Sequence, residues 1–403
     1  MKFLIIPSNN SLSHIAKGIA LRDSLIRANH EALITVGRHH TNFIDAVLGK
    51  YAVLPDIQEI DGSPFPTLFW FKYPEKIVSC VQSEVNLIQR YRPDAIIGIF
   101  RYTAKVSSFL TETPYYSLIC GCMLPESPEV LGFLREDSGY ATQRFFLDNF
   151  NKYSTVKMNR ALKKLGAGPV DSIQELLKGI KTFLWDFPEF MPIKSGEDII
   201  YAGPISWDKW PYDDYDRDSF MNIPRPLAAI SFGTGIEQQS VTRRIASILV
   251  DSGYKVIIAN GRNGSPSQNN ELGQHCLALN FAPLQEILNH APVLISHGGQ
   301  MTVFEALRKQ VPVVVMPFQP EQDHNGLCLE RLSCGVRLVS NTPFSGNSHV
   351  YIEALDRLSD KDIASKIERV ANEKMIKDGL SKISISMAGY RGVETITVNL
   401  KVP

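Results

Sequence analysis

The fold of this chain is indicated most clearly by the stretch VLISHGGQMTVFEALRKQVPVVVM, residues 293–316. It begins with an apolar run short enough for a buried strand and passes through two glycines into a helical pattern that starts near Thr302. A second apolar run follows at residues 313–316. Apolar strands separated by one helix are typical of a parallel sheet that is covered on both faces. The stretch therefore predicts a strand–helix–strand unit of an α/β fold.

The same alternation continues on both sides of this stretch. Short runs rich in β-branched residues predict strands at residues 3–6, 32–36, 95–99, 115–119 and 182–185, and again at 227–232, 255–259, 276–279, 293–295, 313–316 and 336–339. Helical patterns lie between them at residues 14–28, 74–91, 103–111 and 140–165, and then at 241–251, 302–309, 323–332, 349–358 and 360–372. Residues 207–226 separate the two series, because they are rich in proline and lose the periodicity.

This order predicts an α/β protein of two doubly wound, Rossmann-like domains that face each other across a cleft. We expect a first domain at residues 1–206, a linker at 207–226 and a second domain at 227–403, with the last helix packing back on the first domain. Ligands of open parallel sheets bind at the carboxyl ends of the strands, so the residues that follow strands are the candidates for a site.

The composition excludes several classes of protein. With 44% hydrophobic and 21% charged residues among 403, the chain has the make-up of a globular protein rather than a disordered one. Its 42 basic and 42 acidic side chains balance, which argues against a nucleic-acid partner. No apolar run approaches the ~20 residues of a membrane span, and the six cysteines form no C-x-x-C pair. We therefore expect a cytoplasmic protein with reduced thiols.

The turn after the strand at 293–295 has the features of a diphosphate site. His297, Gly298 and Gly299 connect that strand to the helix that begins near Thr302. Glycines let the backbone approach a ligand closely, and the free N–H groups at a helix start favour an anion. Thr302 adds a hydroxyl donor, and the His297 ring can donate to a phosphate oxygen. Turn-capping and helix-entry roles are the structural alternatives for these residues.

Partners for a ribose and a sugar follow in order along the chain. Glu305 lies one helical turn after Thr302, and an acid there suits a ribose diol. The strand at 313–316 is followed by Glu321 and Gln322, whose carboxylate and carboxamide can accept from and donate to neighbouring sugar hydroxyls. A solvated helix residue is the structural alternative for Glu305. Taken together, the order of phosphate, ribose and sugar partners predicts a nucleotide-sugar site.

Residues 281–325 closely resemble the nucleotide-sugar signature of the family 1 glycosyltransferases, the UDP-glycosyltransferase and macrolide-glycosyltransferase group of GT-B fold. Leu284 departs from the signature, because the family often has Gln there. The loop at 231–235, with Gly233 and Thr234, resembles the glycine turn that the family places beside the donor phosphates. The resemblance implies base stacking for Phe281, diphosphate contacts for His297, Gly298, Gly299 and Thr302, a ribose contact for Glu305, and donor-sugar contacts for Glu321 and Gln322.

The resemblance also implies a catalytic histidine after the first strand. PSNNSLSHI, residues 7–15, looks like the family's Pro-x-x-Gly-His-Ile, with Ser13 in place of Gly, and puts His14 in the position of the general base. Packing of His14 on its own loop is the structural alternative. Many members pair this histidine with an Asp at the end of the fourth strand, where this chain has Gly98. Arg101, at the same strand end, is expected to disfavour a neighbouring imidazolium or to bind an acidic acceptor, or else to pair with a surface acid.

The resemblance implies an inverting transfer of a sugar from a UDP- or TDP-sugar to a hydroxyl of a small-molecule or lipid acceptor, without a metal or a separate cofactor. Because Gly98 replaces the usual Asp, a non-catalytic nucleotide-sugar sensor or accessory subunit is the alternative. The aromatic cluster at residues 63–74 is expected to pack on its own domain, or else to form an acceptor pocket or touch a membrane surface. The oligomeric state and the acceptor have no readable signal.

Overall fold

The computed structural model of the chain describes residues 1–58, 70–194, 196, 198–207, 209–213, 217–233, 239–259, 261 and 273–401. Contacts divide the chain into two compact units. The first unit joins Met1–Glu129 and Arg144–Trp207 to the residues from Tyr390 onward, and the second joins Val130–Gln143 to Asp208–Gly389. The domain bounds expected from the sequence, at residues 206 and 227, stay predictions beside this division.

The first unit is built on a parallel sheet. Its described strands are β1 (Lys2–Pro7), β2 (Glu31–Val36), β3 (Ala52–Val53), β4 (Ala95–Ile99), β5 (Tyr115–Ile119), β6 (Thr182–Leu184) and β7 (Ile199–Tyr201). They pair in the order β3-β2-β1-β4-β5-β6-β7. The central strands β4 and β5 are buried along their whole length, as expected where helices cover both faces. The helices are α1 (Leu12–Arg27), α2 (Thr41–Ile44), α3 (Pro74–Tyr91), α4 (Tyr102–Leu110), α5 (Tyr140–Lys164) and the C-terminal α14 (Val393–Asn399). The part of α5 before Arg144 is assigned to the second unit.

The second unit repeats this plan. Its described strands are β8 (Leu227–Ser231), β9 (Lys255–Ala259), β10 (Cys276–Leu279), β11 (Val293–Ser296), β12 (Val313–Val315) and β13 (Gly335–Arg337). They are parallel in the order β10-β9-β8-β11-β12-β13. The helices are α6 (Arg217–Met221), α7 (Gln239–Asp251), α8 (Leu284–Ile287), α9 (Gln300–Arg308), α10 (Pro320–Arg331), α11 (His349–Asp356), α12 (Asp360–Asn372) and α13 (Lys374–Met387).

Every strand predicted from an apolar run lies in one of the two parallel sheets. The strands that were not predicted, β3 and β7, have two and three residues, too few to show a period. Helix α13 was also not predicted, although its sequence carried the signal. Its buried residues recur at helical spacing: Ile376, Leu380, Ile383 and Met387. Among the described helices, none is both long and apolar enough to cross a membrane.

Strand order reverses once in each sheet. In the first sheet β2 and β4 flank β1, and in the second β9 and β11 flank β8, so the connections leave in opposite directions between β1 and β4 and between β8 and β11. Such a switch point leaves a crevice at the carboxyl ends of the two strands. His14 follows β1, and Gly233 and His297 follow β8 and β11. The topology therefore brings predicted site residues to the switch point of each sheet.

Candidate functional site

In the second unit, two glycines accommodate the ring of His297. A Cβ at Gly233 would lie 2.9 Å from His297 Cε1, and a Cβ at Gly299 would overlap His297 Nε2. Gly233 also has a φ of +77°, which side chains other than glycine rarely adopt. The sequence predicted that glycines here make room for a ligand. At these two positions the structure shows that the room is taken by the His297 ring itself.

Gly298 lets the turn lie against the next helix. Its φ is +90°, and a Cβ there would stand 2.7 Å from the carbonyl oxygen of Gln322. The Gly298 N–H donates to Ser296 Oγ at 3.2 Å, which fixes the direction in which the chain leaves β11. A larger residue at this position would push the turn away from α10, so the glycine is required by both the backbone angle and the close contact.

The His297 ring is held in one protonation pattern. Nδ1 lies 3.3 Å from the Ser231 carbonyl oxygen, and because a carbonyl only accepts, Nδ1 carries the proton. Burial lowers the pKa of His297 to about 4, although the Ser231 contact opposes this shift. The neutral ring therefore presents an unprotonated Nε2. For Nε2 to donate to a phosphate, the ring must take up a proton when the anion binds.

The start of helix α9 is open to an anion. Within the described part of the chain no side chain caps this helix, and its first turn has no acidic residue. Thr302 lies in that turn, half-buried, and its hydroxyl forms no hydrogen bond with the described residues. The N–H groups and the dipole at a helix start favour negative charge. The turn and the first helical turn together can hold a diphosphate.

Asn325 is a structural partner of this turn for which the sequence predicted no role. Its buried amide Nδ2 donates to the Gly298 carbonyl at 2.8 Å and to Glu321 Oε1 at 3.2 Å. It thereby ties the glycine turn to α10 and places Glu321 beside it. The spacing of four residues between Glu321 and Asn325, one helical turn, was the available signal.

The predicted sugar and ribose residues already have partners within the protein. Gln322 is buried, and its Oε1 accepts from the Phe318 N–H at 2.9 Å, so the side-chain oxygen holds the loop before α10. Glu305 Oε1 pairs with Arg308 at 2.5 Å, one turn further along α9. A carboxylate in such a pair is held in one direction but keeps lone pairs for a hydroxyl donor.

The predicted base-stacking residue lies at the end of the loop after β10. Phe281 is half-buried, and its carbonyl accepts from the Asp213 N–H at 2.9 Å. The Asp213 carboxylate in turn accepts from the Asn280 N–H at 2.7 Å, so residues of the predicted linker hold this loop. Thr234, the other predicted contact in the glycine loop after β8, lies outside the described residues.

In the first unit, His14 stands in the first turn of α1 among aromatic side chains. Its ring centroid lies 5.2 Å from that of Phe100 and 5.6 Å from that of Trp185. Its Nδ1 lies 2.9 Å from Asn10 Oδ1. Burial, and secondarily the charge of Lys17, lowers the pKa of His14 well below its ordinary value. At neutral pH the ring is therefore neutral, which is the form that can accept a proton.

Phe100 is held against this histidine in an unfavourable backbone conformation. Its φ is +50°, a region in which bulky residues are outliers. The ring is buried, and besides His14 it contacts Trp70 at 6.1 Å and Tyr102 at 5.7 Å between ring centroids. Strain of this kind persists only where the surrounding packing fixes the residue. Tertiary packing thus fixes the position of the Phe100 ring beside His14.

Arg101 does not have the role that the sequence left open for it as a ligand of an acidic acceptor. It is fully buried and pairs with two buried acids, Glu84 at 2.6 Å and Asp56 at 3.0 Å. Burial alone would lower the pKa of Arg101, but the two carboxylates raise it above its ordinary value. The sequence-based alternative of pairing with a surface acid is correct in the pairing and wrong in the place, because both acids lie in the core.

No side chain could stand at Gly98 without rearrangement, because a Cβ there would lie 2.5 Å from the hydroxyl oxygen of Tyr115. Across the described residues, no carboxylate lies within hydrogen-bonding distance of His14. Among the described residues, no acid therefore stands beside His14 in the place where the sequence comparison expected an Asp.

Comparison with known families and proteins was made on both sequence and structure. Residues 237–370 match the model of the glycosyltransferase family 28 C-terminal domain. The demethyllactenocin mycarosyltransferase of Streptomyces fradiae is 33% identical over 98 residues, 24% of this chain and 21% of that protein. The NDP-glycosyltransferase YjiC of Bacillus subtilis strain 168 is 24% identical over 167 residues, 41% of this chain and 42% of that protein. These alignments span less than half the length of either relative.

Solved structures match over nearly the whole chain. The glycotransferase of kitacinnamycin superposes with a TM-score of 0.74 at 14% identity, covering 98% of this chain and 97% of that one. The glycosyltransferase VinC, solved in complex with DTDP, superposes with a TM-score of 0.64 at 13% identity and covers 98% of each chain. At such identities the likeness concerns the fold, and it confirms the prediction of two Rossmann-like domains of the GT-B type.

Proposed function

We propose that this chain, a member of the family 1-like glycosyltransferases of GT-B fold, transfers a sugar from a nucleoside diphosphate sugar to an acceptor hydroxyl with inversion at the anomeric carbon. The proposal rests mainly on the start of α9, where the turn of His297 and the hydroxyl of Thr302 lie beside helical N–H groups that no described side chain caps. That turn lies within the residues that match the glycosyltransferase family model. An anion site at a topological switch point is where this fold places a nucleotide.

The donor nucleotide is a thymidine or uridine diphosphate. This part of the proposal is supported by the DTDP bound to VinC, a structural neighbour, and by the sequence signature around Phe281. Phe281 would stack on the base, and Glu305 would accept from the ribose diol while keeping its pair with Arg308. Gly233, Gly298 and Gly299 would shape the phosphate site by the close packing that they permit.

In the proposed reaction, His14 Nε2 takes the proton from the acceptor hydroxyl. The oxygen attacks the anomeric carbon as the bond between that carbon and the diphosphate oxygen breaks, and the nucleoside diphosphate leaves with the electron pair. Charge that develops on the leaving diphosphate is stabilised by the N–H groups of α9, by Thr302 and by protonated His297. The low pKa of His14 keeps it ready to accept a proton at neutral pH.

A non-catalytic nucleotide-sugar sensor remains the competing proposal, because the usual acid partner of the base is missing. To distinguish the two, we would screen TDP- and UDP-sugars by thermal shift and then incubate the stabilising donors with a mixture of alcohols and phenols. A donor at ~100 times its Kd should stabilise the fold by ~2.7 kcal/mol. A transferase forms a glycoside together with free nucleoside diphosphate. Stabilisation without either product would favour the sensor.

We expect His297→Ala and Thr302→Ala each to weaken binding of the nucleoside diphosphate by about 1.5–3 kcal/mol, the contribution of a charge-assisted hydrogen bond. The unphosphorylated nucleoside should lose little, since Phe281 and Glu305 would hold it. Calorimetric titration of each variant with both ligands measures the difference. His290→Ala, an exposed histidine of the same unit, is the matched control. Equal losses for nucleoside and diphosphate would rule out the phosphate role.

The affinity of the wild type for a nucleotide sugar should depend on pH through His297. The pKa of the free ring is about 4, and a bound diphosphate raises it, so binding takes up a proton. Affinity should therefore fall as pH rises from 4 through the pKa of the bound state. The nucleotide sugar serves as ligand because its bridged diphosphate does not titrate in this range. If the affinity of His297→Ala fell with pH as steeply as that of the wild type, another group would be responsible.

Replacement of Glu321 or Gln322 should weaken discrimination among donor sugars more than binding of the bare diphosphate. For Glu321 the change is to Ala. For Gln322 it is to Glu, which keeps the oxygen that accepts from the Phe318 N–H but removes the amide donor. Competition titrations give the affinity of each variant for several nucleotide sugars relative to its affinity for the bare diphosphate. A uniform loss for all ligands would show that these residues act on the fold or on the phosphates instead.

A further inference from the structure

The loop between β1 and α1 presents an amide to the candidate base. Asn10 Oδ1 lies 2.9 Å from His14 Nδ1 and 2.6 Å from the hydroxyl of Ser8. The backbone N–H of Asn10 donates to Ser8 Oγ at 3.3 Å, so the Ser8 hydroxyl is free to direct its own proton to the Asn10 side chain. Two donors thus converge on one acceptor. With the amide in this orientation, its oxygen faces the His14 ring, and because an amide oxygen only accepts, the ring proton is placed on Nδ1.

The two residues before Asn10 are hydrogen-bonded to the core. The Ser8 N–H donates to the Ile99 carbonyl at the end of β4, at 2.8 Å. The N–H of Asn9 donates to Asp56 Oδ2 at 2.8 Å, and Asp56 is the acid that pairs with buried Arg101. Such support fixes the position of an amide more firmly than a free surface loop would. The buried ion pair, although it does not touch His14, therefore sets where Asn10 stands.

No acid can take over this task without a change in the packing. The hydroxyl of Tyr115 fills the space that a side chain at Gly98 would need, and Arg101 binds both Asp56 and Glu84. Among the described residues, Lys17 is the charged group that acts on His14, while Phe100 and Trp185, which pack on the ring, carry no charge. Within the described part of the chain, His14 thus has a cation near it and no carboxylate at hydrogen-bonding distance.

We propose that Asn10 is the positioning residue of His14: its amide oxygen holds the proton on Nδ1 and leaves the Nε2 lone pair to receive the acceptor proton. The expected effect on turnover rests on the proposed glycosyl transfer, whereas the hydrogen bond between Asn10 and His14 does not depend on it. An amide orients the ring as the usual carboxylate would, but it does not stabilise the imidazolium by charge. The base is therefore weaker and stays neutral to a lower pH.

The tautomer of His14 is the direct test. We would label the protein with 15N-histidine, assign His14 by its loss in His14→Gln, and read the ring nitrogens in the free wild type at neutral pH. We expect a protonated Nδ1 and a bare Nε2, and a shift of the proton toward Nε2 in Asn10→Ala. A proton on Nε2 in the wild type, or the same tautomer in Asn10→Ala, would overturn the proposal. This measurement needs no turnover, so failure to consume any donor would count against the proposed function alone.

Kinetic measurements distinguish a positioning role of Asn10 from a role in folding. Asn10→Ala should lower kcat roughly 3- to 10-fold, the effect of one neutral hydrogen bond, with KM for donor and acceptor nearly unchanged. Asn10→Asp keeps the acceptor and adds a charge, so it should preserve kcat and move the acid limb of the pH profile upward by roughly one unit or more. Asn149→Ala, an exposed asparagine bonded to its own helix, is the control. An unmoved acid limb in Asn10→Asp would contradict the proposal.

Discussion

The His14→Ala variant is expected to turn over about 10²–10⁴-fold more slowly than the wild type, which is the usual contribution of a positioned general base. The reason is that His14 is a neutral imidazole with Nδ1 occupied by Asn10 and with aromatic rings on two sides. The residues proposed to bind the donor belong to the other structural unit, so donor affinity should hardly change. Steady-state kinetics together with donor titration measures the two effects separately.

The pH profile of the wild type gives an internal check on this assignment. His14 must be neutral to act, and its pKa is lowered well below the ordinary value, so the limb that His14 contributes to the kcat profile at saturating donor should lie in acid. His290→Ala, a change of an exposed histidine in the other unit, should keep both rate and profile. A His14→Ala variant within a factor of a few of the wild type would mean that the acceptor needs no base or uses another one.

We expect Arg101→Met to destabilise the first unit by about 3–5 kcal/mol, since it leaves Asp56 and Glu84 buried without their cation. Urea unfolding followed by tryptophan fluorescence reports the change. The matched control is Arg144→Met, which breaks an ion pair with Asp148 whose two side chains are 56% and 61% exposed. That change should cost about 0–1 kcal/mol.

The acids themselves provide the complementary test. Asp56→Asn and Glu84→Gln, combined with Arg101→Met, remove the stranded charges and should recover part of the lost stability, because the penalty comes mainly from unpaired buried carboxylates. If Arg101→Met and Arg144→Met unfolded at the same urea concentration, the buried pair would not be holding the loop that carries Asn10. That result would also mean that the pair of Arg101 and Asp56 does not fix Asn10, and through it the ring of His14.

The sequence predicted the two sheets and the glycine turn that leads into α9, because local residue patterns indicate both. Apolar runs marked every strand longer than three residues, and the order His297, Gly298, Gly299, Thr302 marked the start of α9. Even so, the role of the glycines was only partly foreseen. Gly233 and Gly299 make room for the His297 ring, and Gly233 does so from the loop after the neighbouring strand β8, a contact that spacing along the chain does not show.

What the sequence did not predict depends on partners that are distant along the chain. Arg101 meets acids from two other segments, and nothing near it in sequence distinguishes these acids from surface ones. Asn10 lies four residues before His14, yet its role follows only from the direction that the buried loop gives to its side chain. Hydrogen-bond direction and burial arise from tertiary packing, which local periodicity does not encode.

The central claim, that this chain transfers a sugar by a single inverting displacement, is tested most directly by following the anomeric proton of a nucleoside diphosphate sugar by NMR during incubation with protein and acceptor. We predict that the donor signal decays, that nucleoside diphosphate appears in equal amount, and that the first sugar product has the opposite anomeric configuration. A donor that binds tightly but stays intact under these conditions would contradict catalysis. A product that retains the configuration of the donor would contradict the single displacement with His14 as base.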